Sequence, residues 1–142
     1  MTVRSLLSIL ADGKFHSGRE LGDEIGISRS AIWKHMRRLE DGGLEIYSVK
    51  GRGYRVPGGL ELLDLSKVKA ELLPEVLAVM GQVDLQLTIP STNALAMSES
   101  QKGDCHGRLF VAEQQTAGRG RRGREWVSPF ARNLYFSLAW RF

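Results

Sequence analysis

The sequence predicts an α+β fold in two successive parts, and three observations support that prediction. Before residue 40, apolar residues recur at helical spacing in three short segments, and a strand–turn–strand pattern follows them. After residue 66, helical segments alternate with strand patterns, which is typical of a mixed α/β domain. A Pro-Gly-Gly sequence between the two parts ends both patterns. We therefore predict a first domain over residues 1–56, a linker over 57–65 and a second domain over 66–142.

The composition argues against a membrane protein and against a disulfide-stabilised secreted fold. No apolar run approaches the roughly 18–20 residues that a membrane-spanning helix needs. The chain has one cysteine, Cys105, so no disulfide forms within it, which favours a cytoplasmic location. His106 is adjacent to it, but one cysteine and one histidine make no tetrahedral metal site. We therefore predict no membrane association and no metal site on the protein.

The net charge of +4 is distributed unevenly along the chain. Residues 1–56 carry ten Lys and Arg against seven Asp and Glu, which gives +3, and residues 57–117 carry four against eight, which gives −4. Residues 118–142 carry six against one, which gives +5. Two basic regions separated by an acidic one predict two different anionic ligands, one for each basic region.

The first part has the predicted order helix, helix, turn, helix, hairpin, which is that of a winged helix-turn-helix. Ser17 precedes Glu20 at the spacing of a capping box, and Ser28 stands where it can cap the third helix. Residues 45–49 and 54–56 would be the hairpin strands. The apolar residues that would pack the helices together are Leu6, Leu7, Leu10, Leu21, Ile25, Ile32, Met36 and Leu39.

The third helix has a basic face that predicts contact with DNA. Between Ser28 and Leu39 there are four basic residues and no acidic residue. Such cations neutralise phosphates, and Arg29 or Lys34 near the helix start can reach guanine edges. The predicted DNA-binding residues, including two in the hairpin turn, are Ser28, Arg29, Ser30, Lys34, Arg37, Arg38, Lys50 and Arg52. The alternative is a solvated basic helix in a three-helix fold that binds protein instead.

The second part is predicted to contain two helices and three strands. The helices would cover residues 66–73 and 92–100, the second capped by Ser91, and the strands would cover 83–87, 107–113 and 133–142. The last strand is so apolar that we expect it to be buried on both faces. This second part is therefore typical of a piece of a larger domain.

Residues 118–124 interleave four arginines with three glycines. Glycine is unfavourable inside helices and strands, so this run, here called the Gly/Arg loop, is predicted to be mobile. Backbone N–H groups without a neighbouring Cβ and forked guanidinium groups suit phosphate oxygens, so the loop is expected to close on an anion. From composition alone, the alternative is a flexible nucleic-acid-binding or solvated segment. The position of the loop between two strand patterns argues against that alternative.

Three motifs together resemble those of bacterial biotin protein ligases. The Gly/Arg loop is followed by a Trp, a Ser-Pro pair and an Asn-Leu-Tyr triplet within residues 126–135, as in the signature of that family. Residues 91–93 (Ser-Thr-Asn), which alone would indicate only a helix cap, and Gln115 match two further family motifs. Residues 18–55 resemble the DNA-binding domain of the two-function members, the biotin operon repressors. The resemblance extends over residues 6–142 in the family's order.

The resemblance implies an enzyme that joins the carboxylate of biotin to the α-phosphate of ATP with Mg²⁺ and then transfers biotin from biotinyl-AMP to a lysine of a biotin carboxyl carrier protein. It also implies repression of biotin synthesis genes, in which a homodimer with bound adenylate binds operator DNA. The second domain would be the N-terminal part of a mixed α/β biotin-ligase catalytic domain. The residues implied to bind biotin and the adenylate are Ser91, Thr92, Asn93, Gln115, Arg119, Gly120 and Arg121, of which Arg119 and Arg121 would be catalytic.

The sequence departs from the family pattern after Phe142. The family has a further segment, Lys-Trp-Pro-Asn-Asp, whose lysine contacts the ligand, and a small C-terminal β domain, and this sequence contains neither. We therefore expect this fragment to lack full ligase activity and to bind biotin weakly or not at all. Two other functions stay open: a non-enzymatic winged helix-turn-helix regulator with a degenerate ligand-sensing domain, and a general nucleic-acid-binding protein. A lipoate-handling relative is less favoured, because the helix-turn-helix and the Gly/Arg loop occur together.

Overall fold

The computed structural model describes residues 2–142 and divides into two compact units. The first unit ends at Leu62, and the second covers Leu63–Phe142. Each unit has its own set of buried apolar side chains. Met1, with which the predicted domain 1–56 begins, lies outside the described residues. The α+β fold class is confirmed.

The first unit contains three helices and a hairpin. They are α1 (Thr2–Leu10), α2 (Gly18–Ile25), α3 (Arg29–Asp41), β1 (Tyr47–Val49) and β2 (Gly53–Arg55). β1 and β2 pair antiparallel, and backbone hydrogen bonds of 2.9 and 2.8 Å between His16 and Tyr54 add a short third strand. β1 begins two residues later than predicted. Its partner strand ends opposite Tyr47, and Pro57 beyond it has no N–H to continue the ladder.

The core of the first unit is formed by the predicted apolar faces. Leu6, Leu7 and Leu10 of α1 are fully buried, as are Leu21 and Ile32. Met36 joins them, whereas Ile25 and Leu39 are half-buried. Burying such a side chain stabilises the fold by roughly 1.5–3 kcal/mol relative to leaving it exposed. The core therefore fixes the packing of α2 against α3.

Local side-chain hydrogen bonds set where α2 and α3 begin. The hydroxyl of Ser17 accepts from the Glu20 N–H at 3.1 Å, and the Glu20 carboxylate accepts from the Ser17 N–H at 2.8 Å. This confirms the predicted capping box. Gly26 ends α2 with a φ of +78°, in the left-handed region that favours glycine. The Ser28 hydroxyl then caps α3 by accepting from the Ala31 N–H at 3.2 Å.

The capping box predicts a pH dependence of stability that depends on Glu20. The Ser17 backbone N–H lowers the pKa of this carboxyl below its ordinary value of 4.5. A lowered folded-state pKa contributes stability above the unfolded pKa, and that contribution is lost as the pH falls through the folded value. We expect the midpoint temperature of thermal unfolding of Glu20→Gln to lie below that of the natural sequence at pH 7, with the difference shrinking as the pH falls through the lowered folded-state pKa of Glu20. A difference that stays constant from pH 7 to pH 3 would contradict this explanation.

The chain passes from the first unit to the second between Leu62 and Leu63. Before this point, the Leu60 N–H donates to the Ala11 carbonyl at 3.1 Å. After it, the Leu63 N–H donates to the Glu113 carboxylate of the second unit at 2.9 Å. This point falls inside residues 57–65, and the predicted domain boundaries stay a prediction.

The second unit is a three-stranded sheet with helices. Its elements are α4 (Leu65–Glu71), α5 (Pro74–Val79), β3 (Val83–Ile89), α6 (Thr92–Lys102), β4 (Leu109–Gln115), the 3₁₀ turn η1 (Arg121–Gly123) and β5 (Tyr135–Leu138). The strand order is β3-β4-β5, with β3 and β4 parallel and β4 and β5 antiparallel. A parallel pair needs a crossover, which α6 provides. The central strand β4 contributes the buried Phe110, Val111 and Ala112.

Ion pairs connect α6 to the sheet at Arg108, just before β4. Its guanidinium lies 2.7 Å from the Asp84 carboxylate of β3 and 3.5 Å from the Glu99 carboxylate of α6. The hydrogen bond to Asp84 raises the pKa of Arg108, and the hydrogen bond from Lys102 lowers the pKa of Glu99. The two ion pairs of Arg108 therefore tie the far end of α6 to the sheet.

Two expectations for the second unit are wrong. The last strand covers four residues, not ten, and Phe136 and Leu138 on it are 55% and 50% exposed. β5 is an edge strand that pairs only with β4, and within residues 2–142 no element covers its outer face. The helix α5 is also absent from the predicted elements, since the predicted helix over residues 66–73 stops before Pro74, a residue that often ends helices. Proline is equally suited to the first position of a helix, where it stands here.

Among residues 2–142, every helix is too short or too polar to cross a lipid bilayer.

Candidate functional site

A cavity of about 410 Å³ lies where α6 begins, and we call it the α6 cavity. Its lining residues are Pro90, Ser91, Thr92, Asn93, Ala94, Met97, Gln115, Ala117, Arg119 and Trp126. They come from two parts of the chain. One is the end of the β3 segment with the start of α6, and the other is the end of β4 with the segment that follows it. Because β3 and β4 are parallel, both segments leave the same edge of the sheet, which is where open α/β sheets bind ligands. Thr116 and Ala117 hold the segments together by donating to the Ile89 and Pro90 carbonyls, each at 2.9 Å.

Thr92 and Gln115 form the polar part of the α6 cavity. Thr92 is 3% exposed, and its backbone N–H donates to Gln115 Oε1 at 2.8 Å. Its hydroxyl lies 3.2 Å from the same oxygen and 2.9 Å from the Ser137 hydroxyl of β5. Gln115 is the last residue of β4, so the central strand places its amide directly beside the start of α6. These hydrogen bonds join α6, β4 and β5 at one point.

Ser91 and Asn93 stand on either side of Thr92 and are less constrained. The Ser91 hydroxyl caps α6 by accepting from the Ala94 N–H at 3.3 Å. Asn93 is exposed, and its side-chain amide lies 3.7 Å from Met97 Sδ. The first turn of an eleven-residue helix carries a partial positive charge and unpaired N–H groups, which favour a carboxylate or phosphate.

The Gly/Arg loop folds back on itself after Arg119. Arg119 and Glu125 form a backbone bridge, and the Gly120 N–H donates to the Arg124 carbonyl at 3.0 Å. The only regular structure within residues 118–124 is η1, where Arg122 has a φ of +59°. The loop is therefore a compact exposed turn, which agrees with the expectation that glycine keeps it out of helices and strands.

Two glycines in the loop are required for steric reasons. A Cβ on Gly118 would lie 2.7 Å from the Trp126 ring and 3.2 Å from Gln115 Nε2. A Cβ on Gly120 would lie 2.7 Å from the Arg124 carbonyl oxygen. A Cβ within 3.0 Å of another heavy atom forces one of the two to move. The absence of side chains at these positions thus lets Trp126 cover the loop and lets the loop close.

Five of the seven residues expected to bind biotin and adenylate line the α6 cavity: Ser91, Thr92, Asn93, Gln115 and Arg119. Gly120 and Arg121 are not among the lining residues. Arg121 is exposed and begins η1 beyond the Arg119–Glu125 bridge. The structure therefore brings Arg119, but not Arg121, to the cavity.

Sequence reasoning gave no role to Trp126 or Ser137. Trp126 stands two residues after the Gly/Arg loop, and an aromatic residue at that distance is a signal that its ring covers the loop. Ser137 is a small polar residue in a run of large apolar ones, and that contrast was the available signal. Met97 lines the cavity one helical turn after Asn93, which the helical spacing could have predicted.

All eight predicted DNA-binding residues are exposed in the first unit: Ser28, Arg29, Ser30, Lys34, Arg37, Arg38, Lys50 and Arg52. Some also have partners there. The Arg37 guanidinium lies 3.6 Å from the Glu40 carboxylate, and the Arg52 guanidinium lies 4.5 Å from the centre of the Phe15 ring. A Cβ on Gly18 would meet Arg29 Cγ at 3.3 Å and the Tyr54 ring at 3.4 Å. The start of α3 and the hairpin therefore meet at Gly18.

Two families match this chain. Residues 2–55 match the family described as "HTH domain", and residues 85–142 match the "Biotin/lipoate A/B protein ligase family". The residues that match the ligase family include the whole α6 cavity and the Gly/Arg loop. The sequence resemblance to biotin protein ligases that carry a DNA-binding domain is thereby confirmed.

Relatives with both a ligase and a repressor function in their names match almost the whole chain. The "Bifunctional ligase/repressor BirA" of Salmonella typhimurium is 44% identical over 140 residues, which cover 96% of this chain and 41% of the relative. The protein of the same name from Escherichia coli is 42% identical over 139 residues, covering 96% and 40%. That from Bacillus subtilis is 36% identical over 129 residues, covering 90% and 39%. The chain thus spans about two fifths of the length of these curated relatives.

Within residues 2–142, no group of three or more His, Cys, Asp or Glu side chains is arranged to hold a metal ion. Magnesium in nucleotide sites is commonly held by one or two carboxylates together with substrate phosphates. The finding therefore concerns larger ligand clusters and not a magnesium ion held mainly by nucleotide phosphates.

Proposed function

We propose that this chain is part of a biotin protein ligase that also represses biotin synthesis genes, with the α6 cavity as its site for biotin and biotinyl-AMP. The observation that carries the proposal is that one cavity unites Thr92, Gln115 and Arg119, which come from three separate motifs. The matched ligase family and the relatives named as ligase and repressor support it. With its DNA-binding unit and its single cysteine, such a protein would act in the cytoplasm.

The proposed roles follow from the chemistry of each group. Gln115 supplies N–H donors to the polar atoms of biotin, while Thr92 holds the Gln115 amide in place with both of its own donors. The positive end of α6 favours the biotin carboxylate. Arg119 supplies a guanidinium for the α-phosphate of the adenylate, as a charge-assisted contact. Gly120 and Arg121 would join the site when the loop moves over the ligand, which would exclude water.

The proposed reaction is an adenylation followed by an acyl transfer. The biotin carboxylate attacks the α-phosphate of ATP, pyrophosphate leaves, and biotinyl-AMP stays bound. A carrier-protein lysine then attacks the acyl carbon and AMP leaves. Mg²⁺ would enter with the ATP phosphates, as is common in nucleotide sites. The biotin carboxyl carrier protein, operator DNA and a second copy of the protein in the adenylate-bound state are the partners we propose.

Calorimetric titration tests the ligand site. We expect the chain to bind a non-hydrolysable biotinyl-adenylate analogue more tightly than biotin, because only the analogue reaches Arg119 with its phosphate-like group. Arg119→Ala should weaken binding of the analogue by roughly tenfold or more and change biotin binding much less. Arg132→Ala, at another exposed arginine of the same segment, is the matched control and should change neither. Failure to bind the analogue, or equal weakening by the control, would contradict the proposed site.

The salt dependence of DNA binding tests the proposed role of α3. We expect Lys34→Ala to weaken binding to a random-sequence duplex and to reduce the slope of log K against log salt by about 0.9, the value for one lost phosphate contact. The matched control is Lys67→Ala, since Lys67 is also an exposed lysine on a helix but lies in the second unit. Fluorescence anisotropy from 50 to 200 mM salt measures the effect. An unchanged slope in Lys34→Ala would favour the protein-binding alternative for α3.

A further inference from the structure

Ser137 has a position in β5 that packing alone does not explain. Side chains alternate between the two faces of a strand, and here Phe136 and Leu138 are exposed while Tyr135 is buried and Ser137 half-buried. If residue 137 only filled space on this inward face, an alanine would do so without bringing in a polar atom. Burying a hydroxyl costs free energy unless it is hydrogen-bonded. Its partner is Thr92, whose hydroxyl oxygen lies 2.9 Å away.

The orientation of the Gln115 amide follows from its contact with Thr92. A backbone N–H can only donate, so the Gln115 atom at 2.8 Å from Thr92 N is the carbonyl oxygen Oε1. Nε2 must then be on the other arm of the amide. It lies 3.2 Å from where a Cβ on Gly118 would be. Gln115 therefore presents its N–H donors on the side of the Gly/Arg loop.

The direction of the remaining hydrogen bonds follows in turn. The Thr92 hydroxyl has one proton, and Gln115 Oε1 at 3.2 Å can only accept it. When Thr92 donates to Gln115, its own oxygen accepts at 2.9 Å from the Ser137 hydroxyl. The result is a chain of donors from Ser137 through Thr92 to Gln115, in which each hydrogen bond strengthens the next.

We propose that Ser137 is a positioning residue of the ligand site, which holds the Gln115 amide through Thr92 with its N–H donors toward the ligand. A site arranged in this way selects a ligand that presents a carbonyl-type acceptor at that point. The inference rests on the proposed function for the identity of the ligand. The orientation of the Gln115 amide can be measured without any ligand. The positioning role of Ser137 and the proposed function can therefore fail separately.

The first test is the side-chain amide signal of Gln115 in ¹H–¹⁵N spectra of the ligand-free chain, assigned by its loss in Gln115→Glu. We expect Ser137→Ala to shift and sharpen this pair of signals as the amide becomes more mobile. Ser137→Thr keeps the hydroxyl and should retain the natural signals. Ser98→Ala, an exposed serine on α6, is the matched control. Unchanged signals in Ser137→Ala, or equal changes in the alanine and threonine variants, would overturn the positioning role.

The second test is biotin affinity in a double-mutant cycle. We expect Ser137→Ala to weaken binding by about five- to tenfold, the loss of one neutral hydrogen bond, and Ser137→Thr to stay within about twofold. In a Gln115→Met background, Ser137→Ala should have no further effect. If Ser137→Ala weakened biotin binding as much in the Gln115→Met chain as in the natural chain, Ser137 would not act through Gln115. If biotin binding is too weak to measure, the same cycle uses the biotinyl-adenylate analogue. If the natural chain binds neither ligand, the proposed function fails, and the amide signals alone decide the role of Ser137.

Discussion

We expect Gly120→Ala to weaken binding of a biotinyl-adenylate analogue by at least about tenfold, equivalent to about 1.4 kcal/mol. Gly120 has a φ of −80°, which alanine adopts readily, so backbone conformation is not the reason. The reason is that the added Cβ would lie 2.7 Å from the Arg124 carbonyl oxygen, to which the Gly120 N–H donates at 3.0 Å. The variant must therefore break this hydrogen bond and open the turn that follows Arg119.

Calorimetry of the Gly120→Ala chain with the analogue measures the effect, and circular dichroism shows whether the second unit stays folded. Gly103→Ala is the matched control, because a Cβ on Gly103 would meet nothing within 4 Å. We expect the control to bind the analogue as the natural chain does. Natural affinity in Gly120→Ala would show that the folded-back turn is not needed for the ligand, and it would contradict the proposed role of the loop.

We expect Phe110→Ala to destabilise the second unit by about 3–5 kcal/mol. Phe110 is fully buried in β4, the strand that pairs with both neighbours in the sheet. Removing its ring loses the transfer free energy of the side chain and leaves a cavity that the surrounding side chains fill only in part. Because whole domains are stable by only about 5–15 kcal/mol, the loss is a large fraction of the total.

Denaturant unfolding followed by tryptophan fluorescence measures this loss, since Trp126 and Trp140 lie in the second unit. Phe136→Ala is the matched control on the neighbouring strand β5, where the ring is 55% exposed. We expect its cost to be below about 1 kcal/mol. Equal costs for the two variants would mean that β4 is not the centre of the core.

The elements that were predictable from the sequence are those set by local interactions. The capping box at Ser17 and Glu20 and the apolar spacing of Leu6, Leu7 and Leu10 act over three or four residues, so their pattern is visible in the sequence. The start of α6 was predictable for the same reason, because Ser91 caps it directly.

The features that were missed depend on contacts between distant residues. Thr92 meets Gln115 across 23 residues and Ser137 across 45, and no periodicity encodes such contacts. The length of β5 was also overestimated, because an apolar sequence does not show how many residues its partner strand offers. The paired residues end at Leu109 and Leu138, and Ala139 makes two further backbone hydrogen bonds, to Gly107 and Arg108, without extending the strand.

The content of the site was predictable in part. The motifs pointed to Thr92, Gln115 and Arg119, and the structure brings them around one cavity. The different positions of Arg119 and Arg121 were not predictable, because they depend on the backbone bridge between Arg119 and Glu125. From composition alone, each arginine of the loop is equally suited to bind the ligand.

The most direct test of the proposed site is a map of backbone amide shifts in ¹H–¹⁵N spectra of the chain during titration with the biotinyl-adenylate analogue. The proposal predicts that the largest shifts occur at Thr92, at Gln115 and through residues 118–126, while the first unit changes little. Saturable shifts centred elsewhere in the second unit, or no shifts around the start of α6, would contradict it.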